Sequence, residues 1–117
     1  MADDAADEDW QYRWGAKVLL PVDIPDDMCK DAVQQTVKCI EEVIADGGTM
    51  EENGLSICEK VKKFFDEKYS ASWHMVLGKN FGCHATHEEK RFIYFYVEST
   101  TVEGMGGNYA VMIYKAG

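Results

Sequence analysis

The sequence predicts an α+β domain, two helices packed on a mainly antiparallel sheet, and three observations carry that prediction. Apolar residues recur at three- and four-residue steps over two stretches of the first half of the chain, which marks amphipathic helices. After Tyr69 the apolar period falls to two, which marks strands. The resulting order of one strand, two helices and then four strands segregates helix from sheet, as an α+β architecture does. At 117 residues with 46% hydrophobic content, the chain suits one domain with a packed core.

The first nine residues hold five acids (Asp3, Asp4, Asp7, Glu8, Asp9) and no base, so the organisation expected is an acidic flexible tail over residues 1–15 and a folded domain over 16–117. Trp10, Tyr12 and Trp14 alternate with polar residues, a pattern that suits a paired strand, a docking patch or a loosely packed lead-in. An extended run covers Lys17 to Val22, and Pro21 ends it or puts it at an edge. From Asp26 to Asp46 the residues Met28, Ala32, Val33, Val37, Ile40, Val43 and Ile44 form a helical stripe. Pro25, Asp26 and Asp27 suit its first turn and Gly47-Gly48 its end. A polar loop with Asn53 and Gly54 is expected before a second helix, Ser56 to Tyr69, capped by Ser56 with Glu59 three residues on. Its buried stripe is Ile57, Cys58, Val61, Phe64, Phe65 and Tyr69. Strands follow at Trp73 to Gly78, Gly82 to Thr86, Phe92 to Val97 and Tyr109 to Lys115. The glycines between Glu98 and Asn108 predict a long flexible hairpin loop.

Strand alternation puts Phe92, Tyr94 and Tyr96 on one sheet face and Ile93, Phe95 and Val97 on the other. Both faces are apolar, yet two short helices cover one. Trp73, Met75 and Leu77 are candidates to extend the uncovered face. Leaving three aromatic residues wet would forfeit on the order of 10 kcal/mol, comparable to the whole stability of a small domain. An obligate dimer, or permanent docking on another chain, is therefore expected.

Several functions are disfavoured. The net charge of -9, still 16 acids against 12 bases without the tail, offers no footprint for nucleic acid or anionic membranes. No run approaches the roughly 20 apolar residues of a membrane span, and the chain starts acidic rather than basic and then apolar, so a cytosolic protein is expected. Cys29, Cys39, Cys58 and Cys83 lack paired spacing and are read as thiols. Cys83-His84 with His87 invites metal or thiol chemistry, but on a strand His84 and His87 point to opposite faces. Gly104-Met105-Gly106-Gly107 lacks the lysine and following helix of a phosphate loop. No catalytic residue, metal or cofactor is expected.

The string Trp73-His74-Met75-Val76-Leu77-Gly78-Lys79-Asn80-Phe81-Gly82, then Thr86-His87-Glu88 and Lys90-Arg91-Phe92-Ile93-Tyr94-Phe95-Tyr96, resembles the eight-kilodalton dynein light chains. The resemblance runs from about Lys17 to Gly117, including Lys62-Lys63, Phe65-Asp66-Glu67-Lys68-Tyr69 and the closing Lys115-Ala116-Gly117. It implies a dimer whose sheets pack face to face, with the strand Gly82 to Thr86 exchanged onto the partner. It further implies that an extended client adds a strand along that segment. The implied partner-binding residues are Lys79, Phe81, Gly82, Cys83, His84, Ala85, Thr86, His87, Phe92, Tyr94 and Tyr96. Trp73, His74, Cys83, His84 and Ala85 are the implied dimer interface, with His74 favoured as a core histidine over a pH switch. The implied function is a non-catalytic clamp on dynein intermediate chains, working as a homodimer or with a sister light chain; a general adaptor of the same fold is the alternative. The acidic tail, the Gly47 to Asn53 loop and the Glu98 to Asn108 loop are additions to the compact pattern, which suggests an axonemal, ciliary or flagellar relative. Cys83, His84 and Ala85 differ from the usual client strand, and Gly54-Leu55 replaces the acidic-basic pair that meets a client glutamine.

Overall fold

A computed structural model describes residues 10–19, 24–79 and 92–115, with only the backbone of Trp10 and Leu19. Its elements in chain order are β1 (Trp10–Arg13), β2 (Ala16–Leu19), α1 (Asp26–Ala45), α2 (Met50–Tyr69), β3 (Trp73–Gly78), β4 (Phe92–Val97) and β5 (Tyr109–Lys115). The strands form one five-stranded sheet in the order β1-β2-β4-β5-β3. Every pairing in it is antiparallel. The expected strand Gly82 to Thr86 lies outside the described residues.

Helix α1 begins at Pro25, whose carbonyl accepts the amides of Met28 and Cys29, with Asp26 and Asp27 in the first turn where the helix dipole favours acids. It ends as expected. Gly47 takes the left-handed conformation at φ +81, and the amide of Gly48 returns to the Val43 carbonyl at 2.9 Å. A Cβ at Gly48 would lie 2.8 Å from Asn53 Nδ2, so a side chain there would have to displace the Asn53 amide from its bond to Thr49.

The second helix starts earlier than expected, at Met50 rather than Ser56. Thr49 caps it: Thr49 Oγ1 accepts the Glu52 amide at 3.3 Å and also bonds the Glu52 carboxylate at 3.1 Å. Asn53 Nδ2 donates to the Thr49 carbonyl at 2.9 Å, so Asn53 and Gly54, expected in a loop, belong to the helix. At the far end, Lys68 donates to Asp31 of α1 at 2.7 Å and Tyr69 donates to the same carboxylate, locking the helices together. Asp66 accepts the Trp73 amide at 2.8 Å, which fixes the start of β3 to α2.

Both helices cover the same face of the sheet. Ile93, Phe95 and Val97 of β4, Val111 and Ile113 of β5 and Val18 of β2 are buried against Val33 and Ile40 of α1 and Ile57, Val61 and Phe65 of α2. The Phe65 ring stands 5.0 Å from Trp73 and 5.3 Å from Tyr69. Trp73, Met75 and Leu77 join this inner face, not the aromatic outer face suggested by the sequence. The reason is register: Met75 stands opposite Ile113 and Leu77 opposite Val111, so β3 inherits the facing of β5.

Two further differences lie at the opposite end of the sheet. Trp10–Arg13, grouped with the tail, is a strand paired with β2. The Glu98 to Asn108 segment, expected as a flexible loop, buries Val102 and Met105 in the core. Thr101 Oγ1 also donates to the Gly15 carbonyl at 2.6 Å, so the loop holds the β1–β2 turn.

Candidate functional site

Strand β3 occupies one margin of the sheet, paired with β5 along its whole length and, among the described residues, with no other strand. Its free margin faces the first turns of α2 across a groove of about 830 Å³. Met75 and Leu77 from the inner face and Val76 from the outer face all line the groove, so it runs along the strand's edge rather than over one face. Met50, Leu55 and Cys58 form the opposite wall, and Glu51 and Lys79 stand at the rim. Leu55 is 74% exposed, on a helix whose other apolar side chains are half-buried or better. Gly54 beside it leaves the groove open towards Leu77.

Among the described residues, no helix lies on the outer face of the sheet. Register stacks Phe92 opposite Tyr114 and Tyr94 opposite Met112, while His74 and Val76 follow on β3. The His74 and Tyr114 rings lie 5.5 Å apart at 28°. Tyr94 and Tyr96 place their hydroxyls 3.3 Å apart. Phe92 and Tyr96 are half-buried and Tyr94 is buried, whereas Val76 remains exposed.

Of the residues the sequence singled out, the structure puts Phe92, Tyr94, Tyr96 and His74 on this outer face and Lys79 at the end of β3 beside the groove. Trp73, expected at the subunit interface, turns the other way into the helix layer. Phe81, Gly82, Cys83, His84, Ala85, Thr86 and His87 lie outside the described residues. The sequence reading set Gly54-Leu55 at a client contact by resemblance, but missed Met50 because it placed the start of α2 too late and took Cys58 for part of the buried stripe. Thr49 with Glu52 three residues on was the signal for the earlier start.

The three described thiols are poor candidates for chemistry. Burial, with Asp26 adding to it, pushes Cys29 up to about 11, and burial raises Cys39 and Cys58 as well. All three are free and stay protonated near neutral pH, when a nucleophile must be a thiolate. Among the described residues, no group of three or more His, Cys, Asp or Glu side chains could hold a metal ion, and no helix is long and apolar enough to cross a membrane.

The described residues thus form an antiparallel sheet with both helices on one face, an aromatic second face and β3 at an edge no described strand pairs. The family model for dynein light chain type 1 matches residues 16–116. The chain belongs to that family. The fold agrees: the dynein light chain-like domain of a Fasciola hepatica calcium-binding protein, solved as a mercury derivative, superposes with a TM-score of 0.63 at 16% identity. The match covers 92% of this chain and 97% of that one. Dynein light chains are in general non-enzymatic, and family and fold together support a non-catalytic light chain or adaptor. The family match begins at Ala16, so strand β1 of this light chain precedes the matched region.

Proposed function

We propose that this light chain is a dimeric clamp that holds extended segments of dynein intermediate chains by strand addition. The observation that carries the reading is the margin of β3 beside the α2 groove, which no described strand pairs, on a sheet whose aromatic face has no described helix over it. In the family's dimer, the segment Gly82 to Thr86 of a second copy, or of a sister light chain, adds to that margin and the client extends the sheet by one more strand. Five or six ladder hydrogen bonds at about 0.5 to 1.5 kcal/mol each, offset by the ordering of the client, give single-segment binding around micromolar. Two grooves side by side raise the avidity for paired clients by about 10² to 10⁴. The hairpin before Ala16 and the ordered loop before β5 fit a specialised member working in a ciliary or flagellar axoneme, associated with microtubules.

A second reading, a general dimerisation adaptor, is favoured by Leu55 in the groove wall and by the occurrence of the same fold in a calcium-binding protein. Calorimetry with single and tandem intermediate-chain segments separates the two. The motor reading predicts micromolar binding of single segments and at least a hundredfold gain for the tandem. Absence of binding to any intermediate-chain segment, with the fold intact, would leave the adaptor reading.

A further inference from the structure

The two walls of the β3–α2 groove have matching lengths. From Met75 to Lys79 the strand side runs about 13 Å at about 3.3 Å per residue, and from Met50 to Cys58 the helix side runs about 12 Å at about 1.5 Å per residue. Side chains of an added strand repeat their facing every second residue, so about two of them, at i and i+2, turn towards the helix over this length. The strand that pairs directly with β3 lies against the near wall. The client, added after it, is the one that reaches the helix wall.

That wall is apolar. Met50, Gly54, Leu55 and Cys58 share one stripe of α2, at the three- and four-residue steps that bring helical positions together. Met50 is buried, whereas Leu55 is 74% exposed, so Leu55 is the member of the stripe that the described fold leaves most uncovered. Gly54 beside it offers no side chain that could hydrogen-bond a guest, and a Cβ there would meet Leu77 at 4.0 Å. Polar side chains in the described lining are few. The Cys58 thiol is raised by burial and stays neutral, and Tyr109 is buried. Glu51 and Lys79 are exposed at the rim and opposite in sign, so together they favour neither charge. An amide or a charged group set against Leu55 would give up water without gaining a partner, while an aliphatic group would cover Leu55 and be covered by it.

We propose that the groove selects its client by a large aliphatic side chain seated against Leu55, and that Leu55 sets this preference. The inference rests on the strand-addition reading of the same groove and names what that reading leaves open, the chemistry of the client residue facing α2. Leucine, isoleucine and methionine suit the position. Glutamine, of similar length but with an amide to satisfy, does not.

The test uses the full chain and the single intermediate-chain segment of the calorimetry above, with each residue of the segment replaced in turn by leucine and by glutamine. At one position the leucine peptide is expected to bind about tenfold tighter than the glutamine peptide; Leu55→Gln should bring the two within about threefold there, while Leu55→Met keeps the difference. Because Leu55 is exposed, both variants should retain the helix content of the parent by circular dichroism. A segment that binds with no position favouring leucine, or a preference that survives Leu55→Gln, would overturn the proposal and leave strand addition standing. Failure of every segment to bind, the parent included, would overturn strand addition and the proposal with it.

Discussion

Strand β4 has two faces of similar hydrophobicity and different surroundings. Ile93, Phe95 and Val97 are fully enclosed beneath the helices, while Phe92, Tyr94 and Tyr96 on the same six residues carry no helix among the described residues. The inner face, one ring between two branched aliphatics, carries no polar atom; the outer one is aromatic throughout, with hydroxyls that can bond across a contact. The difference teaches that folding and assembly are carried by alternate residues of one strand. Substitutions two apart on β4 should therefore behave alike, and neighbours should behave differently.

The largest expected effect breaks the inner face. Phe95→Ala should destabilise the protein by about 3 to 5 kcal/mol in urea unfolding, because a ring with no exposure leaves a cavity. A cost near 1 kcal/mol would mean that this face is loosely packed. Next comes the outer face. His74→Lys sets a charge beside the Tyr114 ring and should weaken the proposed dimer by at least a hundredfold, about 3 kcal/mol, with helix content unchanged by circular dichroism. A dimer that survives the change would remove His74 from the interface.

The comparison also shows what could be read in advance. Helix α1 and strands β3, β4 and β5 were legible because their periods and breakers agree: Pro25 before, Gly47-Gly48 after, and alternation unbroken by proline. Helix α2 was misplaced because two capping signals compete, Thr49 with Glu52 and Ser56 with Glu59. Asn53-Gly54 also looks like a turn until the Thr49 carbonyl is seen to take up the Asn53 amide. The facing of Trp73, Met75 and Leu77 was not legible, since it depends on register with β5, which no local pattern carries. The burial of Val102 and Met105 was hidden for the same reason: glycines signal a turn but not what lies beneath it. For the groove, the resemblance put Gly54-Leu55 at a client contact, whereas the β3 margin and the wall at Met50 required the register with β5 and the true helix start.

A smaller effect sharpens that last point. Thr49→Ala should cost about 1 kcal/mol and Ser56→Ala only a few tenths, measured as separate shifts in urea midpoint. The reverse order would restore the later start of α2. The smallest effect concerns the tie between the helices at Asp31. Burial raises its carboxyl, but the hydrogen bonds from Lys68 and Tyr69 outweigh this and hold it below its ordinary 3.8. The contribution is thus complete above pH 4 and fades as acid protonates the folded carboxylate. Asp31→Asn should flatten the acid limb of a stability-against-pH curve below pH 4 and leave the neutral region nearly parallel. An unchanged acid limb would show that the tie contributes nothing.

The central claim is that the aromatic face of the sheet is closed by a second subunit. Sedimentation velocity of the full chain at low micromolar concentration and neutral pH tests it most directly. The account predicts a single dimer boundary; a folded monomer persisting across the whole concentration range would contradict it.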